Sequence, residues 1–310
     1  MNVDLKKYPL DQEMQAFLEK SEEIYPPNNG ALTVEENRRL YLQMCESFQA
    51  PIPDGIVITD HEIPGRHGPV PIRIYEHQDH RSAVTVLYLH GGGFVVGDLD
   101  THNSICAELS ARCGHRLVAV DYRLAPEHVH PVQFEDALDV YLAIDQGHTV
   151  LVGDSAGANL VAAICVAQHG SDRQPVGQVL IYPWLGGELY DLESYVSNAD
   201  APGLTAKDIE DYRQLRCGGE PHLHDPVYYP LALKEYADLP PCVAFAAEFD
   251  PIRDDAVEWV NRLKNAGVEA TCHYESGLIH SYLRARHCSN KASASFDRIC
   301  EAVADLGEIR

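Results

Sequence analysis

The chain has 310 residues, and 24 Lys and Arg stand against 47 Asp and Glu, which gives a formal net charge of −23 at pH 7. This balance argues against partners that are recognised through basic patches, namely nucleic acids and anionic membrane surfaces. Hydrophobic residues make up 45% and charged residues 23% of the chain, which excludes disorder, collagen and coiled coil as descriptions of the whole sequence.

The cysteines and the N-terminus bear on the compartment. The nine cysteines are odd in number and never stand in C-x-x-C spacing, which favours reduced thiols over a disulfide framework. The first residues show no apolar core of a secretory signal, and no apolar run is long enough to span a membrane. We therefore expect a cytoplasmic protein.

The first 50 residues predict helices. Residues 11–20 carry apolar side chains at helical spacing, and Thr33 and Glu36 have the spacing of a capping box that opens a second helix. We interpret residues 1–50 as an N-terminal helical cap segment and residues 51–310 as a catalytic domain.

From residue 55 onward the hydrophobic period becomes that of strands. Residues 56–59 and 70–75 predict an antiparallel pair, and after them strands and helices alternate. Six further strands are predicted at residues 84–89, 117–120, 149–152, 178–182, 242–249 and 270–275, and helices at residues 134–144, 158–168, 254–264 and 292–304. Repeated strand–helix units predict an α/β fold with a mostly parallel sheet between layers of helices.

Residues 185–235 interrupt this alternation. They hold several glycine and proline turns and one short helix pattern that is opened by Thr205. We interpret the segment as an insertion in the catalytic domain, a lid that pairs in space with residues 1–50.

Residues 153–157 read G-D-S-A-G and stand between an apolar strand and an Ala-rich helix pattern. In that context G-x-S-x-G is typical of a nucleophile elbow, where small neighbours allow a strained serine to expose its oxygen. The alternatives are a glycine-rich helix start and a phosphate-binding turn, although the Asp154 carboxylate would repel phosphate. Ser155 is the candidate nucleophile.

A serine hydroxyl needs a base, and in this kind of fold an acid and then a histidine follow the serine along the chain. Asp250 comes directly after an apolar strand and is the favoured acid. Its rivals Asp254 and Asp255 fall in the first turn of the next helix, where the helix dipole accounts for a carboxylate. Glu248 lies inside the strand.

Three histidines follow Asp250 in the sequence. His273 falls within the last strand, and His287 belongs to a basic segment, residues 284–287, that resembles a solvated helix face. His280 follows the carboxyl end of the last strand, and catalytic groups gather at that edge of a parallel sheet. His280 is therefore the favoured base.

An acyl-transfer site also needs hydrogen-bond donors where the oxyanion forms. Residues 90–93 read H-G-G-G after a predicted strand, and glycines leave backbone amides open to a substrate. The amide of Ala156, next to the serine, is a further donor. A flexible loop and a phosphate cradle are the alternatives, but no G-x-G-x-x-G or G-K-[ST] pattern accompanies the glycines.

Together these motifs resemble the hormone-sensitive lipase family of α/β-hydrolase esterases, and most of all its bacterial acetyl-esterase members. The matching stretches are residues 88–94, 121–127, 153–157, 248–251 and the His280 loop. The resemblance implies an α/β-hydrolase fold with a mostly parallel eight-stranded sheet, flanking helices and a helical cap. After the histidine the family usually has Gly-Phe, whereas this chain has Ser281 and Tyr282, which we expect to alter the packing beside His280.

The resemblance also implies roles for the site residues. Ser155 is the nucleophile, His280 the base and Asp250 the acid that orients it. The implied oxyanion donors are Gly91, Gly92 and Ala156, with Gly93 close by. Candidate walls of the substrate pocket, for which core packing is an equally good explanation, are Phe94, Tyr182, Trp184, Leu204 and Tyr229.

No cofactor or metal is expected. Two histidine pairs, at residues 128–130 and 222–224, lack a third and fourth ligand in the sequence, and we interpret both as surface loops. Glu127 is interpreted as a structural ion-pair or capping residue.

The sequence therefore predicts a serine carboxylesterase that hydrolyses short-chain acyl esters of small molecules through an acyl-enzyme. Two alternatives stay open. One is a catalytically silent small-molecule receptor of the same fold, against which the presence of His280 speaks, and the other is a hydrolase of amides, thioesters or peptides. Neither nucleic acid nor membrane is an expected partner. The strand after the insertion or the last helix could support a homodimer, although no pattern indicates one.

Overall fold

A twisted eight-stranded sheet forms the centre of the protein. The structure is a computed structural model and describes the chain except for residues 1–3, 5, 28–31, 80–81, 146, 187–191 and 309–310. The strands are β1 Ile56–Ile63, β2 Val70–His77, β3 Thr85–Leu89, β4 Arg116–Val120, β5 Thr149–Asp154, β6 Gly177–Ile181, β7 Cys242–Phe249 and β8 Ala270–Ile279. Their order in the sheet is β1-β2-β4-β3-β5-β6-β7-β8. The pairs β1–β2 and β2–β4 are antiparallel and the others are parallel, so the predicted α/β fold is confirmed.

Helices cover both faces of the sheet. They are α1 Gln12–Ile24, α2 Val34–Glu46, α3 Asn103–Cys113, α4 Val132–Ile144, α5 Ala156–Ala167, α6 Ser194–Ser197, α7 Ala206–Cys217, α8 Arg253–Asn265 and α9 Asn290–Gly307. Helices α4, α5 and α8 pack on one face, and α1, α3 and α9 pack on the other. Successive residues of β3 alternate between these two apolar clusters, because neighbouring side chains of a strand point to opposite faces.

The N-terminal helices and the insertion contact each other. Helix α2 opens with the predicted capping box between Thr33 and Glu36, and Thr205 caps α7 in the same way through Asp208. Side chains of α2 and α7 share an apolar cluster beside the loop that follows β3: Tyr41, Met44, Cys45, Val95, Val96, Tyr212 and Leu215. Part of the interpreted insertion, residues 187–191, lies outside the described residues.

Helix α3 has no counterpart among the predicted elements. Most of its residues are buried, and it has no side-chain cap at His102. A helix that is covered on nearly all sides shows no amphipathic stripe, which is the pattern that predicts a helix from sequence. Its end at Gly114, which adopts a left-handed conformation with φ 72°, is the one local signal in the sequence.

Among the described residues, no helix combines the length and the apolar character that crossing a bilayer requires.

Candidate active site

Ser155 occupies a sharp turn between the end of β5 and the start of α5. Its backbone has φ 53° and ψ −118°, a conformation that costs a non-glycine residue about 1–3 kcal/mol. A Cβ on Gly157 would lie 1.9 Å from the carbonyl oxygen of Leu89, and one on Gly153 would lie 2.6 Å from the carbonyl carbon of Gly157. The two glycines therefore allow strand and helix to meet closely, and the serine side chain stands at the first turn of α5.

The structure brings the three predicted catalytic side chains into one hydrogen-bonded line. His280 Nε2 lies 2.9 Å from Ser155 Oγ, and His280 Nδ1 lies 2.7 Å from Asp250 Oδ2. Since a carboxylate only accepts, Nδ1 carries the proton, and Nε2 is left with a lone pair that faces the serine hydroxyl. All three residues are buried, with Asp250 fully removed from solvent.

The ends of β7 and β8 hold the acid and the base. Asp250 Oδ1 accepts the N–H of Ile252 at 3.0 Å, which fixes the carboxylate in the turn between β7 and α8. A further contact comes from the segment after β6 and was not predicted from the sequence. Asn198 Nδ2 donates to the carbonyl oxygens of Glu248 and Asp250, at 3.1 Å each. Ser281, directly after His280, adopts the left-handed conformation with φ 64° and ψ 17°, which glycine occupies without strain.

The rival residues lie elsewhere. His273 stacks on Phe245 with ring centroids 4.9 Å apart, and His287 pairs with Glu108. Asp254 accepts the N–H of Ser194 at 2.9 Å. None of these contacts involves Ser155, so the choice of Asp250 and His280 agrees with the geometry.

One expectation about charged residues was wrong. The basic segment 284–287 is not a solvated helix face, because Arg284 and Arg286 are buried and distant carboxylates such as Glu108 compensate their charge. Asp255 lies in the first turn of α8, as predicted, but its burial was not predicted. It is fully buried, its Oδ2 accepts from the amide of Leu185 and the hydroxyl of Tyr195, and burial raises its pKa to about 8.

The peptide groups of the loop at residues 90–93 are fixed through their carbonyl oxygens. The carbonyl of His90 accepts from the hydroxyl of Tyr122 at 2.6 Å. The carbonyl of Gly91 lies 2.9 Å from His90 Nδ1, and that of Gly92 accepts two backbone amides of the following turn. Burial lowers the pKa of His90 to about 3, so its ring is neutral and carries its proton on Nδ1, toward the carbonyl.

This anchoring leaves the amides of two cavity-lining glycines without an acceptor among the described residues. In a trans peptide the N–H points opposite to the carbonyl, so the anchored carbonyls turn the N–H groups of Gly92 and Gly93 the other way. Both glycines line the cavity that contains Ser155. Within the described part of the chain, nothing accepts a hydrogen bond from the amides of Gly92, Gly93 or Ala156, which leaves them available to a developing oxyanion.

The amide of Gly91 is the exception among the predicted oxyanion donors. It donates to Asp154 Oδ1 at 2.9 Å, and a Cβ on Gly91 would lie 2.4 Å from Asp154 Oδ2. An N–H that is already bonded to a carboxylate does not serve a substrate. The structure thus corrects Gly91 as a donor and leaves Gly92, Gly93 and Ala156.

A cavity of about 570 Å³ surrounds Ser155 and His280. Of the predicted pocket walls, Trp184 and Leu204 line it, whereas Phe94, Tyr182 and Tyr229 do not. The ring of Phe94 is covered by the guanidinium of Arg216, 3.7 Å from the ring centroid. Tyr182 presses edge-on against the ring of His280 at 4.8 Å, and Tyr229 packs edge-on against Tyr228.

Helices α2 and α7 also line the cavity, which sequence reasoning missed. Tyr41 and Met44 of α2 face the cavity together with Tyr212 and Leu215 of α7. These positions are separated by about 170 residues in the chain, and their helical spacing alone indicates only an apolar face. No local pattern connects them with the serine.

The other predicted features have structural roles. Glu127 pairs with Arg38 of α2 at 2.7 Å, as expected of an ion-pair residue. Of the two histidine pairs, His130 is buried and lies 3.3 Å from Asp225, so its interpretation as a surface-loop residue was wrong. The described ranges contain no group of three or more His, Cys, Asp and Glu side chains that could hold a metal ion.

Comparison with known proteins points in one direction. A family model described as alpha/beta hydrolase fold matches residues 86–284. The chain is 37% identical over 249 residues to the esterase LipI of Mycobacterium tuberculosis, which covers 75% of this chain and 77% of that protein. It is 30% identical over 291 residues to an ethyl acetate hydrolase of Pseudomonas putida, with coverages of 88% and 90%. A solved esterase structure from Pyrobaculum calidifontis matches with a TM-score of 0.86 and 28% identity, over 97% of this chain and 100% of that one.

Proposed function

The chain belongs to the alpha/beta hydrolase family and is a carboxylic ester hydrolase, and we propose that it hydrolyses short-chain acyl esters of small molecules through Ser155, His280 and Asp250. The resemblance to hormone-sensitive lipase relatives is confirmed by the family match. The observation that carries the proposal is the pair of hydrogen bonds that joins Ser155 Oγ to His280 and His280 to Asp250.

Acylation begins when His280 Nε2 takes the proton of Ser155 Oγ, and Oγ forms a bond to the ester carbonyl carbon. The electron pair of the carbonyl double bond moves onto its oxygen. Asp250 keeps its hydrogen bond to Nδ1 and stabilises the imidazolium that forms. The strained turn aids this step, because the serine oxygen already stands free of the helix.

The amides of Gly92, Gly93 and Ala156 receive the oxyanion of the tetrahedral intermediate. When the intermediate collapses, the bond to the alcohol oxygen breaks, and His280 gives its proton to the leaving alcohol. Water then repeats the sequence on the acyl-enzyme: His280 takes a proton from water, the hydroxyl attacks the acyl carbon, and Ser155 leaves with that proton.

The substrate class is supported by relatives. The protein from Pseudomonas putida is named for the hydrolysis of ethyl acetate, and others are named acetyl esterase. The receptor alternative is disfavoured, since a binding protein needs no histidine 2.9 Å from a strained serine. Amides and thioesters share the first steps of the same reaction, and the assay below includes them.

Compartment and assembly are further proposals. All nine cysteines are free thiols and seven of them are buried, which supports a reducing compartment such as the cytoplasm. The homodimer stays a prediction. In the sheet, β8 is an edge strand and exposes Tyr274, and sedimentation velocity measures the assembly state.

The test is hydrolysis of p-nitrophenyl esters from acetate to decanoate, with a p-nitroanilide and a thioester in parallel. Wild type is expected to prefer short acyl chains, and Ser155→Ala to lose activity while its circular dichroism stays unchanged. Ser171→Ala, at an exposed serine, is the matched control and keeps full activity. A folded Ser155→Ala enzyme with wild-type turnover would overturn the proposal.

A further inference from the structure

The residue before the candidate nucleophile is a buried carboxylate that the ester-hydrolysis steps do not use. Asp154 is 3% exposed. Its Oδ1 accepts from the hydroxyl of Tyr88 and from the amide of Gly91, both at 2.9 Å. His102 Nε2 lies 3.3 Å from the same oxygen, and the hydroxyl of Tyr182 lies 3.4 Å from Oδ2. A charge buried in this way requires a partner of opposite sign.

Arg284 supplies the permanent positive charge of the cluster. Its side chain is buried, Nη2 donates to the hydroxyl of Tyr41 at 2.6 Å, and the same nitrogen lies 3.4 Å from His102 Nε2. The imidazole of His102 therefore stands between guanidinium and carboxylate. Although burial alone would raise the pKa of Asp154, His102 and Arg284 together with the Tyr88 hydroxyl hold it well below its ordinary value.

The carboxylate acts on the oxyanion loop through one residue. Gly91 is held at both ends, since its N–H is bonded to Asp154 and its carbonyl to the ring of His90. The peptide plane that contains the Gly91 carbonyl also contains the N–H of Gly92. Fixing Gly91 therefore fixes the direction in which the first oxyanion amide points.

A carboxylate this close to a developing oxyanion opposes it unless its charge is balanced. We propose that Arg284 and Asp154 form a buried positioning pair, in which Asp154 orients the oxyanion loop through Gly91 and Arg284 cancels the charge that would otherwise disfavour the transition state. The inference rests on the proposed function. Through the hydroxyl of Tyr41, the pair also ties helix α2 of the cap to the floor of the site.

The kinetic test separates charge balance from packing. Arg284→Met is expected to lower kcat at least tenfold and to change KM less than about twofold. The unbalanced carboxylate would weaken oxyanion stabilisation, of which a single contact is worth on the order of 10²–10³ in kcat. Arg284→Lys, which keeps the charge but loses the fork geometry, recovers part of the loss. Adding Asp154→Asn to Arg284→Met removes both charges, and the double variant is expected to turn over faster than Arg284→Met alone.

A second readout does not depend on turnover. In spectra of the full chain labelled with [15N]glycine, the Gly91 amide proton is expected far downfield in the wild type, as is typical of a bond to a carboxylate. It moves upfield in Asp154→Asn. Asp255→Asn alters another buried acidic side chain, which binds Leu185 and Tyr195, and leaves the Gly91 signal in place.

Either of two results would overturn the pair. One is a Gly91 signal that is indifferent to Asp154→Asn, and the other is a double variant no faster than Arg284→Met. If Arg284→Met does not fold, the comparison of Arg284→Lys with Arg284→Lys plus Asp154→Asn takes its place. Here the double variant is expected to be the slower one, because Lys already balances the carboxylate and Asp154→Asn only weakens the bond that holds Gly91. Wild type without ester turnover would refute the proposed function, and the glycine spectra would still decide whether Asp154 holds the loop.

Discussion

Asp250→Asn should lower kcat about 10³–10⁴-fold, because the substitution inverts the proton position on His280. Asp250 Oδ1 accepts the N–H of Ile252 at 3.0 Å, and Oδ2 accepts Nδ1–H of His280 at 2.7 Å. Asparagine has the same shape, but only one of its two ends accepts. The Ile252 amide has to be satisfied, so the asparagine oxygen turns toward it, and the NH2 group faces the histidine.

With an NH2 group opposite Nδ1, that nitrogen has to accept, and the ring proton moves to Nε2. Nε2 is the atom that lies 2.9 Å from Ser155 Oγ, and once protonated it has no lone pair for the serine proton. A 10⁴-fold loss corresponds to about 5 kcal/mol of transition-state stabilisation. The fold should be retained, since every hydrogen bond around the substituted residue keeps a donor and an acceptor.

The assay is the steady-state rate on p-nitrophenyl acetate, with circular dichroism and thermal melting as checks of folding. Asp254→Asn is the matched control. Asp254 lies four residues further on and binds the amide of Ser194, so kcat is expected to stay within about twofold of wild type. A folded Asp250→Asn enzyme that keeps a tenth or more of the wild-type rate would contradict this role of Asp250, and so would an equal loss in Asp254→Asn.

Three other changes test separate parts of the structure. Ser281 has a left-handed backbone with φ 64°, which glycine adopts without strain. Ser281→Gly is therefore expected to raise the free energy of unfolding by up to about 1 kcal/mol in urea titrations. A loss of stability would contradict strain at this position. Burial raises the pKa of Asp255 to about 8, against about 3.9 in the unfolded chain. The folded state therefore keeps the proton to higher pH, and stability falls as the pH rises between these two values. In Asp255→Asn, this contribution to the difference between the urea midpoints at pH 5 and pH 8 should be absent. Trp184 lines the cavity, so Trp184→Ala enlarges it and should shift the preferred p-nitrophenyl ester to longer acyl chains. An unchanged preference would place the acyl chain elsewhere.

The strands and the hydrogen-bonded arrangement of Ser155, His280 and Asp250 could be predicted from the sequence because their signals are local or follow a fixed order along the chain. Each core strand is an apolar run that ends at a turn, and the sequence order of serine, acid and histidine restricts the candidates to a few positions. The closed turn at Ser155 forces glycine at positions 153 and 157, since added Cβ atoms would overlap backbone atoms. A constraint of this kind can be recognised from the five residues 153–157 alone.

The burial of charged side chains could not be predicted from the sequence. A run of Arg284, Ala285, Arg286 and His287 has the composition of a surface, and only the fold shows that Glu108 lies against it. The same holds for Asp255, whose position in the first turn of α8 has a sufficient explanation in the helix dipole. Whether a charged residue is buried depends on a partner far away in the sequence, and a single sequence carries no mark of that pairing.

The glycine loop combines both situations. Three glycines in a row indicate amides that face a ligand, and Gly92 and Gly93 line the cavity. Which amide is used internally depends on Asp154, a residue that the G-x-S-x-G pattern leaves free. Because its carboxylate takes the N–H of Gly91, the variable letter of the serine motif determines how the glycine motif is oriented, and the two motifs form one unit. Variation at that position should therefore change catalysis through the oxyanion amides rather than through the serine.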